Sequence, residues 1–136
     1  MMSIVLDTQA MLVLYMGEKG AERVSNLLMQ VLEGKTKGYM NVVNLAELYY
    51  ILARKSRKVA DEKERNLRGF GIKIVNVRDD GDDDLWKEAA ILKASHALSL
   101  ADAFAVATAK TLRSTLVTGP DPEFEGIHGI QIERVG

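Results

Sequence analysis

Apolar positions along the chain recur with two different periods, and the switches between them divide it into short alternating elements. Ile4, Val5 and Leu6 form a brief continuous apolar run, which reads as a buried strand ending at Asp7. From Thr8 to Met16 the pattern predicts a helix, stopped near Gly17. Ala21, Val24, Leu28, Val31 and Leu32 recur at helical spacing with Gly34 just beyond, which predicts a second helix and its terminator. Tyr39 to Val42 reads as a short strand or an extended entry. Asn44 is expected to open a helix reaching about Arg54, with Leu45, Leu48, Tyr49 and Leu52 on its apolar face. A basic segment and another helix continue to Gly69.

Ile72 to Val77 alternates and is β-branched, the mark of a strand. Leu85, Ala89 and Leu92 form the stripe of a further helix. Ser99 opens another, with Ala101, Phe104, Ala105 and Thr108 at i, i+3, i+4 and i+7. Leu116 to Thr118 is a strand, Gly119 to Pro122 a loop, and Ile130 to Val135 a final alternating strand. Short strands alternating with helices imply an α/β fold with a parallel sheet and helices on both faces. In such sheets ligands bind beyond the carboxyl ends of the strands. No internal repeat or boundary divides the chain, so residues 1–136 read as a single domain.

Four acids fall where these elements meet: Asp7, Glu47, Asp102 and Asp121. Asp7 and Asp121 lie just past strand ends, where a ligand site is expected. Each also has a purely structural reading. Asp7 can cap the helix that follows it. Glu47 stands three residues after Asn44, and Asp102 three after Ser99, as in a capping box. Asp121 sits between Pro120 and Pro122, which suits a rigid turn, and Glu123 is a nearby substitute for its role. If the fold gathers these acids, their charges repel and raise each other's pKa. A hard divalent cation such as Mg²⁺ or Mn²⁺ relieves that conflict through oxygen ligands.

Composition narrows the chemistry further. The chain has no cysteine and only His96 and His128, which excludes disulfides, thiolate sites and a three-histidine zinc site. Any metal would therefore rest mainly on oxygen. A net charge of -1 does not announce nucleic-acid binding, so a local basic patch would have to supply it. Arg54, Lys55, Arg57, Lys58, Lys63, Arg65 and Arg68 are the candidates, although Asp61, Glu62 and Glu64 among them also fit a solvated helix face. The run Asp79, Asp80, Asp82, Asp83 and Asp84 lacks the ligand pattern of a calcium loop and reads as a solvated turn whose last aspartates cap the next helix. No apolar run is long enough for a membrane span, and the first residues lack the basic start of a signal peptide, so a cytoplasmic protein is expected.

The segments that carry the acids also resemble a known family. Leu98-Ser99-Leu100-Ala101-Asp102-Ala103, followed by Ala107-Thr108-Ala109, looks like the L-S-x-A-D-A helix start and small-residue A-T-A turn of PIN domains, and within them of VapC-type toxins. Ile4-Val5-Leu6-Asp7-Thr8 and Asn44-Leu45-Ala46-Glu47-Leu48 match the family's first and second acids in type, order and context. The resemblance covers nearly the whole chain. It implies a three-layer α/β fold with a short, mostly parallel central sheet flanked by helices. It also implies Mg²⁺- or Mn²⁺-dependent RNA cleavage at Asp7, Glu47, Asp102 and Asp121, a homodimer, and a cognate antitoxin that blocks the site. One departure stands out: Gly119 and Pro120 separate Thr118 from Asp121, where the family has a single residue. A catalytically weak PIN-like interaction module is the alternative that this irregular loop suggests. A phosphoryl-accepting receiver domain fits less well, because Thr8 and Gly119 stand where its second acid and lysine are expected.

Overall fold

The structure, a computed structural model, describes residues 1–77, 79 and 84–136. In chain order its elements are β1 (Met2–Leu6), α1 (Thr8–Tyr15), α2 (Ala21–Leu32), β2 (Thr36–Asn41), α3 (Val42–Ala53), α4 (Arg57–Gly69), β3 (Lys73–Val75), α5 (Leu85–Ser95), α6 (Leu100–Leu112), β4 (Thr115–Thr118) and β5 (Ile132–Arg134). The five strands form one sheet in the order β3-β2-β1-β4-β5, and every pairing is parallel. This is the three-layer α/β arrangement that the alternating pattern predicts.

Alternation along β1 explains why the middle of the sheet needs helices on both sides. Ile4 and Leu6 enter one core with Met11, Leu27, Leu28, Met40, Leu48 and Leu67. Val5 faces the other, with Leu92, Phe104, Ala105, Leu116 and Phe124. A strand buried on both faces cannot show a polar side, which is why β1 reads as an unbroken apolar run. The small residues of α6 bury Ala103, Ala105, Val106, Ala107 and Ala109 completely, letting that helix lie close to its neighbours.

Chain order fixes where a site can form. β1 leads to β2 and β3 on one side, whereas β4 and β5 are added on the other. The direction of winding therefore reverses between β1 and β4, and a crevice opens at their carboxyl ends. Leu6 is paired with Val117 across this boundary. The amide of Asp7 extends the ladder by donating to the Val117 carbonyl at 3.2 Å.

The structure moves one predicted boundary in a way that matters. β2 runs on to Asn41, and Asn41 rather than Asn44 caps α3, its side chain accepting from the Val43 amide. Asn44 is thus inside the helix, and Glu47 cannot complete a capping box with it. The physical reason is tertiary: Asn44 is buried, its side-chain amide nitrogen donating to the Ala101 carbonyl at 3.0 Å while its backbone carbonyl accepts from the Thr8 hydroxyl at 3.0 Å. Asp84 precedes α5 but makes no side-chain capping bond, contrary to expectation. Asp80, Asp82 and Asp83 of the predicted acidic turn lie outside the described residues. His96 ends α5, with Nδ1 3.1 Å from the Leu92 carbonyl. Among the described residues no helix is long and apolar enough to cross a membrane.

Candidate metal centre at the β1–β4 crevice

Asp7 is the innermost acid. It follows β1 directly, is 2% exposed, and is held from two directions. One carboxylate oxygen accepts from the Ala10 amide at 2.9 Å, the N-cap bond of α1. The other accepts from the Thr118 hydroxyl at the end of β4. Capping and membership of the crevice therefore coincide in one side chain. The cap fixes its rotamer, and the strand end fixes its place.

Burial raises the Asp7 pKa from 3.8 to about 7, and the charges of Asp102 and Glu123 push it the same way. The bonds from Thr118 and Ala10 oppose the shift without cancelling it. A carboxyl this deep, with acids rather than bases around it, is at odds with neutral pH unless a cation or a proton accompanies it.

Asp102 reaches the same place from α6. Ser99 caps that helix, accepting from the Asp102 amide at 3.1 Å, so Asp102 occupies the first turn. The bond from Asn44 to the Ala101 carbonyl ties α3 to α6 one residue earlier. This cap is one that the sequence pattern placed correctly.

The loop after β4 brings two more acids. Phe124 is buried in the second core and anchors the loop. Gln9, on the first turn of α1, donates through one amide nitrogen to Asp121 at 2.8 Å and to Glu123 at 3.0 Å. Asp121 is exposed, and Arg134 donates to its backbone carbonyl. Glu123 is half-buried and is the acid that meets Asp102. Burial raises its pKa first, followed by the charges of Asp102 and Asp121 and a hydrogen bond with Asp102, while the bond from Gln9 opposes the rise. Sequence reasoning treated Glu123 only as a substitute for Asp121. The structure gives Asp7 and Asp102 their acidic neighbour in Glu123, with Asp121 further out on the rim.

Glu47 is half-buried in the second turn of α3. The fold thus associates Asp7, Asp102 and Glu123, sets Asp121 beside Glu123, and leaves Glu47 on a neighbouring helix. Among the described residues, no three acidic or histidine side chains are arranged to hold a metal ion as they stand. The chemistry of the donors still suits a hard divalent cation. They are all oxygens, three of the acids repel one another, and among the described residues no basic side chain is found to offset Asp7. Two buried oxygens on the connecting residues, Gln9 Oε1 and Asn44 Oδ1, add acceptors that have no donor among the described residues.

The basic segment is differently organised. Arg68 pairs with Glu64 at 2.9 Å, and Lys63 lies over the Tyr15 ring at 5.0 Å. Arg54 lies 4.8 Å from the centre of the exposed Tyr50 ring. Tyr49 donates to Asp61 at 2.7 Å, with Arg57 beside it. Much of the charge read as a candidate nucleic-acid patch is committed to contacts on its own surface.

The sequence matches the PIN domain family over residues 4–128, and the chain belongs to that family. Its fold is similar to several solved toxin–antitoxin structures. A VapBC2 complex from Rickettsia felis, bound to a DNA fragment from the promoter, aligns with a TM-score of 0.76 at 17% identity, covering 99% of this chain and 100% of the other. DNA-bound VapBC from Salmonella typhimurium aligns with a TM-score of 0.71 at 20% identity, covering 98% of each chain. VapBC-1 from nontypeable Haemophilus influenzae gives 0.69 at 20% identity, again with 98% of each chain covered. At these identities the likeness is one of fold. A comparison with curated protein sequences gave no match.

Proposed function

We propose that this chain is a metal-dependent endoribonuclease, the toxin of a toxin–antitoxin pair, which hydrolyses RNA phosphodiester bonds in the cytoplasm. The observation that carries the reading is Asp7: a carboxyl buried at the winding reversal of a parallel sheet, with its pKa pushed up to about 7 and acids as its charged neighbours. A cation bound there would offset the charge that burial and the neighbouring acids oppose, and perturbed carboxyls of this kind cluster at functional sites. Membership of the PIN family, and the toxin–antitoxin complexes that share the fold, support the same assignment.

Asp7 and Asp102 would hold Mg²⁺ or Mn²⁺ directly, with Glu123 or Asp121 completing the acidic wall. When bound, the ion supplies Lewis acidity, which activates water as a nucleophile and offsets charge growing on the phosphate oxygens. Thr118 and the Ala10 amide keep Asp7 in one orientation throughout. Glu47, on the adjacent helix, would orient the attacking water or take its proton. An antitoxin would silence the site by placing a basic side chain among the acids, where the uncompensated negative charge favours it. A homodimer is part of the same reading.

The test is cleavage of a mixed RNA pool by the antitoxin-free protein with Mg²⁺ or Mn²⁺, compared with Asp7→Asn and Asp102→Asn. Cleavage by the wild type and its loss in both variants is expected. Wild-type rates in both would overturn the assignment. The second reading is a binding module that engages an antitoxin without cutting RNA; it is favoured by the finding that, among the described residues, no three acids are already arranged around one point. Antitoxin binding with no cleavage across a range of divalent ions would establish it.

A further inference from the structure

Gln9 joins α1 by hydrogen bonds to the loop carrying Asp121 and Glu123 across the crevice. Its amide nitrogen donates to both acids, at 2.8 Å and 3.0 Å. The two hydrogens of the amide are thereby used on carboxylates more than a hundred residues away in sequence. The orientation of the amide follows from chemistry, since ionised carboxylates only accept. The consequence is that Oε1 is buried without a donor among the described residues. An acceptor is left unpaired when stronger demands fix the other end of the group, and charge-assisted bonds to two acids are such a demand.

Gly119 completes the arrangement. A Cβ at that position would come within 2.8 Å of Gln9 Oε1 and 3.1 Å of Gln9 Cβ. The backbone at β4's exit thus passes close to the Gln9 side chain, and a side chain at position 119 would press on it.

We propose that Gln9 is a positioning residue: it tethers Asp121 and Glu123 to the first turn of α1, so that Glu123 is presented to Asp102 beside Asp7. The tether supports the metal-centre reading given above and rests on it for its functional consequence, but not for its existence. Groups that orient metal-binding carboxylates through hydrogen bonds change metal affinity when removed, by about 10- to 100-fold.

Gln9→Met keeps the side-chain volume and removes both donors. Gln9→Ala removes the side chain, and Gly119→Ala displaces it. Backbone hydrogen exchange across residues 119–124 of the metal-free protein is the first readout, and Mn²⁺ affinity by titration is the second. Gln9→Met is expected to speed exchange in the loop by about tenfold and to weaken Mn²⁺ binding by about tenfold or more. Gly119→Ala is expected to reproduce both effects in the wild type and to add little in the Gln9→Ala background, because the group it displaces is already gone. Exchange and affinity in Gln9→Met equal to the wild type would overturn the proposal, and so would effects of Gln9→Ala and Gly119→Ala that simply add. Faster exchange with unchanged Mn²⁺ affinity would reduce Gln9 to a structural tie and overturn the positioning role. Asp7→Asn separates the two readings. If it binds Mn²⁺ as the wild type does, the metal-centre reading fails, and loop exchange in Gln9→Met alone decides the tether.

Discussion

The β1–β4 crevice and the α3–α4 surface are both dense in charge, yet the fold treats them in opposite ways. In the crevice, Asp7, Asp102 and Glu123 come from three distant parts of the chain and press on one another. On the α3–α4 surface, Glu64 and Arg68 neutralise each other one turn apart, and Lys63 and Arg54 lie over tyrosine rings. The first arrangement sets like charges around the buried Asp7; the second disperses charge into water. Counting charged residues marks the second region more strongly than the first. What distinguishes a site is charge that is buried and lacks a partner of opposite sign.

The contrast is most sharply tested by chemistry. Asp7→Asn keeps the size of the side chain and removes its charge, and RNA cleavage with Mn²⁺ is expected to fall by about 10³-fold or more. Loss of the charges in the Arg54 to Arg68 segment should change affinity and salt dependence rather than the chemical step. A cleavage rate more sensitive to that segment than to Asp7 would invert the comparison.

Stability against pH provides the next test. Asp7 ionises at 3.8 unperturbed and at about 7 in the fold. Between those values the folded protein holds a proton that the unfolded chain has released. The Asp7 contribution to stability is therefore intact below about pH 4 and is lost as pH rises towards 7, up to about 4 kcal/mol in the metal-free protein. Denaturant unfolding across that window should show the decline, and Asp7→Asn should flatten it. Glu123 is shifted in the same direction and contributes in the same sense. A wild-type profile that rises through this range would mean that Asp7 is solvated or paired with a base.

A divalent cation should relieve the same conflict. At about 100 times its dissociation constant, Mn²⁺ is expected to stabilise the fold by about 3 kcal/mol, a rise in Tm on the order of 10 °C. The rise should be absent in Asp7→Asn and in Asp102→Asn. The smallest effect belongs to the dispersed region. Arg68→Ala breaks an exposed pair with Glu64 and should cost no more than about 0.5 kcal/mol by thermal unfolding. A larger loss would show that α4 depends on its charges more than its exposure allows.

Several features were legible before any coordinates. The Ser99 cap, the first-turn place of Asp102, the end of β1 at Asp7 and the helix terminator at Gly34 are local, because capping and turn chemistry involve neighbours in sequence. The assignment of Asn44 and Glu47 to a capping box failed for a reason that lies outside the segment. Asn44 is consumed by Thr8 and Ala101, and Asn41 takes over the cap. The choice of Asp121, with Glu123 as its substitute, rested on its place just past a strand end and on the family resemblance. Spacing cannot show which way a loop turns when Phe124 is drawn into the core and Gln9 holds two carboxylates.

The sequence by itself determined the alternation of strands and helices, the absence of thiolate metal ligands, and the acids placed at element boundaries. Periodicity and composition are properties of the chain, and they survive any packing. Only the tertiary structure decided that β4 inserts beside β1, that Asp7 is sealed beneath Thr118, and that Glu123 stands against Asp102. Those outcomes depend on which strands pair and which loops cross the crevice. The energies that select them come from burial and hydrogen bonds between residues that no local pattern connects.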